Sequence, residues 1–126
     1  MSPHGYVLAV HDLRREAAYY VDQLGFAVEW EDAENWRGLI RDDVRMMLGR
    51  CPESIPALDV GDHSYDVGDH SYFAFIATPD VDSLHREFVA RGADILVEPT
   101  DKTWGWREMP VRTPEGFRIM FAQWIG

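Results

Sequence analysis

Apolar and polar positions along the chain follow two rhythms, one of period two and one close to 3.6. Tyr6–Val10 (YVLAV) is a short β-prone run and predicts a first strand. Over residues 14–24, Ala17, Tyr20, Val21 and Leu24 recur at helical spacing, with Asp12 placed to cap the start and Gly25 placed to close the end in a left-handed conformation. Residues 26–30 alternate as a strand and 31–34 form an acidic turn. Trp36–Arg41 and residues 44–48 predict two further strands joined at Asp42-Asp43. Residues 49–69, with Pro52, Pro56 and Gly61, predict a loop. Residues 72–77 predict a strand, Pro79-Asp80 starts a second helix with Val81, Leu84 and Phe88 on one face, Gly92 ends it, and 94–97 predicts another strand. The stretch 98–121 completes the pattern. Trp104 and Trp106 flank Gly105 and lead into an alternating run, the turn Thr113-Pro114-Glu115-Gly116 reverses the chain, and 117–121 is apolar again.

The order of elements is β-α-β-β-β, twice. Gly25 and Gly92, roughly 67 residues apart, occupy equivalent places in the two halves. The predicted class is α+β: one domain over 1–126, made of βαβββ halves at 5–48 and 70–124 with a loop at 49–69 between them. One helix cannot cover both faces of a small sheet. Pairing the halves predicts a curved, barrel-like sheet with helices on the outer side and a concave face filled by a ligand, a partner chain or the protein's own side chains.

Composition narrows the function classes. An apolar fraction of 46% and a charged fraction of 27% suit a soluble globular protein of 126 residues. No apolar run is long enough to span a bilayer, and the first residues do not resemble a secretion signal. One cysteine, Cys51, leaves no internal disulfide framework, which fits a cytoplasmic location. The formal net charge of −10 disfavours nucleic acid and anionic membranes as partners and would draw in a cationic ligand, although acidic surfaces also simply confer solubility. No nucleophile-elbow or phosphate-cradling glycine pattern is present, and His11 and His85 read as solvated side chains near or on helices. The heptad DVGDHSY occurs twice in tandem over 59–72. Its Asp62, His63, Asp69 and His70 offer a candidate metal cluster, weakened because adjacent side chains on an extended chain point to opposite faces.

Four segments in this order, VLAVHDL at 7–13, YYVDQLGF at 19–26, PDVDSLHREFVARGA at 79–93 and the run 99–121, resemble the vicinal-oxygen-chelate superfamily. That group holds glyoxalases, extradiol dioxygenases, fosfomycin-resistance enzymes and bleomycin-resistance proteins. The tail WGWREMPVRTPEG is most similar to the bleomycin-resistance branch. The resemblance implies a homodimer and, for the enzymes, a divalent metal held by three His, Gln or Glu side chains. Alignment places Gly5, Ser71 and Met120 at those three positions. Glycine has no side chain, and a lone hydroxyl or thioether is a poor ligand for a hard ion. His4 and His70 lie one residue away, on the opposite strand face unless a bulge intervenes. The expectation is therefore a protein without cofactor or metal and without catalytic residues.

The same alignment directs Phe73, Phe75, Trp104, Trp106, Glu108, Arg118 and Met120 toward the concave face, with Trp36 and Met47 joining from the first half. Aromatic faces stack on flat ligands and attract cations, and Glu108 can pair with a basic group. The alternative for each aromatic is core. The expected function is sequestration of a flat or cationic hydrophobic small molecule, as in drug binding by bleomycin-resistance proteins. The alternative is a metal-dependent lyase or dioxygenase of the same fold using His4, His70 or the tandem repeat.

Overall fold

A computed structural model describes residue 1 and residues 4–54 and 71–126 of the chain. The candidate cluster of Asp62, His63, Asp69 and His70 lies outside the described residues. The fold is α+β, in two compact units, Met1–His63 and Ser64–Gly126.

The first unit runs β1 (Tyr6–Val10), α1 (Leu13–Asp22), β2 (Ala27–Asp32), β3 (Trp36–Arg41) and β4 (Val44–Arg50). Its sheet has the order β1-β4-β3-β2, with β1 parallel to β4 and the other pairs antiparallel. The Asp12 carboxylate accepts the Arg15 backbone N–H at 3.1 Å, which caps α1 as its position predicts. Leu13, Ala17 and Tyr20 are buried from the helix, and Leu39, Met46 and Leu48 from the sheet. Tyr20 meets Phe26 edge to face at 5.8 Å. Burying the leucine and methionine side chains is worth about 1.5–3 kcal/mol each and holds the helix on the sheet. Glu16 shares the buried face of α1, which its charge did not suggest.

The opposite face of this sheet carries rings laid over glycines. The β2–β3 register shifts between Val28 and Trp30, which sets Trp30 opposite Gly38. A Cβ on Gly38 would collide with the Trp30 indole, and one on Gly49 would lie 2.7 Å from the Trp36 ring. Each glycine is the floor on which a cross-strand indole rests.

The second unit runs β5 (Ala74–Ala77), α2 (Val81–Arg91), β6 (Asp94–Ile95), β7 (Thr100–Asp101), β8 (Trp106–Arg112) and β9 (Arg118–Trp124). Its sheet has the order β5-β9-β8-β6, β7 also pairs with β8, and β5 is parallel to β9. The plan of the first unit recurs. The Asp80 carboxylate caps α2 by accepting the Ser83 N–H at 3.0 Å. Gly92, at φ 77°, closes it while the Ala93 N–H donates to the Phe88 carbonyl at 3.0 Å. Val81 and Phe88 pack on Met109, Val111, Ile119 and Phe121, all buried, with the Phe88 and Phe121 rings 5.0 Å apart.

Four details differ from the sequence expectation. Gly25 does take a left-handed φ of 75°, but α1 ends earlier, with Gln23 as its cap in right-handed geometry. The strand expected over 94–97 is shortened to the two residues of β6, Asp94–Ile95, and β7 at Thr100–Asp101 is a further short strand that the pattern did not mark. Pro110 is the physical reason for the shortening. It accepts the Leu96 N–H through its carbonyl at 2.9 Å but has no N–H to return on that edge, and Pro99 across the gap also lacks a donor. β9 continues past the expected residue 121 to Trp124. His11 is half-buried with its Nε2 shielded from water, rather than solvated.

Candidate functional site

The site in the second unit grows out of two turns of the same design. In the first, the Gly116 N–H donates to the Thr113 carbonyl at 2.9 Å and the Thr113 N–H to the Phe117 carbonyl at 2.8 Å, with Gly116 at φ 86°. In the second, the Gly105 N–H donates to the Lys102 carbonyl at 3.2 Å and the Lys102 N–H to the Trp106 carbonyl at 2.8 Å, with Gly105 at φ 92°. A turn followed by one left-handed residue is the usual three-residue hairpin loop. Trp104 therefore stands in a turn and not on a strand, and the simple two-residue alternation with Trp106 does not hold.

On the sheet face turned away from α2 lies a cavity of about 410 Å³. Phe75, Val97, Pro110 and Met120 give it apolar walls, and Tyr72 also lines it. Its polar groups are Glu108, Lys102 and Thr100. Glu108 is only 6% exposed, and one carboxylate oxygen, Oε2, accepts the Trp104 indole N–H at 2.8 Å. That bond folds the Trp104 ring back over β8, though the ring remains 60% exposed. Lys102 Nζ stands 5.9 Å from the centre of the same ring, within cation–π reach. The Thr100 hydroxyl donates to the Glu98 carbonyl at 2.7 Å.

Register explains why these groups meet. Thr100 pairs with Glu108 and Asp101 with Arg107, so Thr100 and Glu108 share the cavity face while Asp101 and Arg107 share the other. On that other face Arg107 Nε donates to Asp82 at 3.0 Å and Nη1 to Asp101 at 2.8 Å. The hydrogen bond that Arg107 donates to Asp101, then the one it donates to Asp82, raises its pKa above the ordinary value. One guanidinium thus ties β7 and the start of α2 to β8 and steadies the hairpin that carries Lys102 and Trp104.

Of the residues singled out in the sequence, Trp104, Glu108 and Met120 line this cavity, together with Phe75. Trp106 is on the same sheet face but sits in a row of rings, 5.0 Å from Phe75 and 5.2 Å from Trp124, both edge to face. Phe73 packs on Phe117 at 5.9 Å, outside the lining. Arg118 is buried at the start of β9, opposite Arg112, and does not line the cavity either. Trp36 and Met47 belong to the first unit, Trp36 over Gly49 and Met47 half-buried in β4 opposite Gly38. Tyr72, Val97, Thr100, Lys102 and Pro110 escaped sequence reasoning. Alternation from Glu108 points to Pro110, whereas Thr100 and Lys102 become visible only once β7 is known.

The positions that align with the superfamily's metal ligands do not fit a divalent ion. A side chain at Gly5 would meet the Arg45 carbonyl oxygen at 2.7 Å, Ser71 is exposed, and Met120 is one of the apolar walls. His4 is exposed, and His70 lies outside the described residues. Among the described residues no three or more His, Cys, Asp or Glu side chains gather as a metal site. No helix among them is long and apolar enough to cross a membrane.

Comparison with known proteins places the fold. The family model for the Glyoxalase/Bleomycin resistance protein/Dioxygenase superfamily matches residues 3–121. Among solved structures, the bleomycin-binding protein of Streptomyces verticillus, complexed with copper(II)-bleomycin, is 26% identical with a TM-score of 0.70, covering 96% of this chain and 94% of that one. TioX from Micromonospora sp. ML1 is 26% identical with a TM-score of 0.69, covering 97% and 95%. The antibiotic-binding protein TnmS3 from Streptomyces sp. CB03234 shares the fold at 20% identity and a TM-score of 0.70, covering 98% and 96%. No curated protein sequence matches the chain. The match over nearly the whole length, on the twice-repeated βαβββ plan, makes this chain a member of the Glyoxalase/Bleomycin resistance protein/Dioxygenase superfamily.

Proposed function

We propose that this protein binds and sequesters a flat, hydrophobic or cationic small molecule without modifying it, as a homodimer in the cytoplasm and without a metal. The observation that carries the reading is the buried Glu108 carboxylate at an aromatic and apolar cavity of about 410 Å³. That volume is at the lower end of small-molecule sites. A largely apolar wall with few polar groups suits binding and orientation. The residues at the superfamily's ligand positions, Gly5, Ser71 and Met120, lend nothing to metal-assisted chemistry. Relatives of the same fold support the ligand class, since one is complexed with copper(II)-bleomycin and another is an antibiotic-binding protein.

The test is a titration followed by tryptophan fluorescence. Bleomycin and neutral acridine are added in the presence of chelator, to the native protein and to Trp104→Ala. Saturable quenching that survives the chelator and is weakened in the variant is the expected result. Quenching that requires added zinc, or no response to either compound, would overturn the reading. Sedimentation at several concentrations tests the dimer.

A further inference from the structure

We infer that the cavity of the second unit is dipolar and selects an aromatic zwitterion, a flat ring system with a protonated nitrogen at one end and an anionic oxygen at the other. This inference rests on the binding reading above and names the chemistry of its ligand. Glu108 and Lys102 both line the cavity, yet they form no ion pair with each other. The Glu108 carboxylate spends one oxygen on the Trp104 indole N–H, leaving Oε1 to accept from a ligand. Among the described residues, the Lys102 ammonium has the π face of Trp104 within reach, 5.9 Å from the ring centre, and no carboxylate in a salt bridge. Arg107, on the other face of the hairpin, holds two carboxylates.

Glu108 is only 6% exposed, and a buried carboxylate gains most from a counter-charge placed directly beside it. Trp104 supplies a hydrogen bond but no positive charge. A protonated nitrogen on the ligand supplies both. At the other end a ligand oxyanion would give Lys102 an anionic partner. Between the two stands the ring of Trp104, with Phe75 and Met120 also in the lining, so an aromatic plate would join the two charged ends. Each charge-assisted hydrogen bond selects its own end, so the two preferences are separable by mutation.

The experiment compares four probes of one shape: acridine, an aminoacridine, an acridine carboxylate and an aminoacridine carboxylate. Affinities are measured by fluorescence for the native protein, Glu108→Gln and Lys102→Met. Gln keeps an oxygen for the Trp104 indole N–H and Met keeps most of the apolar stem, and near-UV circular dichroism checks that both variants retain native packing. The aminoacridine carboxylate is expected to bind about tenfold more tightly than either singly charged probe. Glu108→Gln should erase the gain from the amine alone, and Lys102→Met the gain from the carboxylate alone. If all four probes bind alike, the groove reading stands and the dipolar one is overturned. The dipolar reading also fails if the aminoacridine is the tightest and the carboxylate weakens it. If none of the four binds, the groove reading itself falls.

Discussion

Replacing Gly105 with alanine probes the hairpin on which the site depends, and the structure supplies its own control. At φ 92° an L-residue is strained, at a cost of about 1–2 kcal/mol by the left-handed penalty. A Cβ there would also lie 2.5 Å from Trp124 Cζ3 and 2.6 Å from Cη2. Trp124 is 59% exposed, so its ring can move aside rather than distort the backbone. Moving it breaks the edge-to-face contact with Trp106 at 5.2 Å, a loss of about 0.5–1.5 kcal/mol. Gly105→Ala should therefore destabilise by about 1.5–3.5 kcal/mol in all. Gly92 at φ 77° has nothing within 4 Å of the place a methyl group would take, so Gly92→Ala carries the backbone cost alone, about 1–2 kcal/mol. Urea unfolding of both variants measures the difference, read as a shift of midpoint at constant slope. A cycle with Trp124→Ala isolates the ring contact, because Gly105→Ala should cost less in the variant that lacks the indole. If Gly105→Ala costs no more than Gly92→Ala, or if the cost is unchanged without Trp124, the account of this hairpin is wrong.

Other outcomes follow from the same contacts. Arg107→Ala should cost about 1 kcal/mol of stability, since its two ion pairs are partly solvent-screened, and should raise amide exchange in 100–106 more than in β9. Phe88→Ala should cost about 3–5 kcal/mol in chemical denaturation, because the ring is fully buried against Phe121. Gly49→Ala should displace the Trp36 indole and red-shift tryptophan emission, while the same change at Gly92 should leave emission unchanged. The Arg14 hydrogen bond and charge hold the Glu34 carboxyl below its ordinary pKa, so the pair's contribution is present above the unfolded carboxylate pKa and is lost as pH falls through the lowered one. Arg14→Ala should remove that part of the acid dependence, seen by comparing urea midpoints across the acid range.

Much of the site was legible because strands alternate. Glu108 and Met120 face the cavity by parity alone, and Phe75 follows by the same rule. Parity does not by itself place Trp104, which has left the strand. Gly105 in the left-handed region resets the count, so Trp104 reaches the cavity from a turn while Trp106 joins a row of rings. Phe73 and Arg118 were misdirected for a related reason. Both lie at or just beyond the end of a strand, where neighbouring turns decide where a side chain goes.

The amino-acid sequence by itself determined what depends on near neighbours. Asp12 and Asp80 cap their helices through their own next turn. Gly92 ends α2, the Thr113–Gly116 turn reverses the chain, and the two helices bury the faces that their periodicity marks. Those outcomes need only local sterics and one hydrogen bond within a few residues. The tertiary structure alone decided the pairing of residues far apart. Leu96 bonds to Pro110, which has no N–H to return, Trp30 and Trp36 come to rest on Gly38 and Gly49, and Lys102 and Glu108 enter one cavity without pairing. Register between strands is set by bulges, missing donors and packing summed over the whole sheet, and no single segment carries that information.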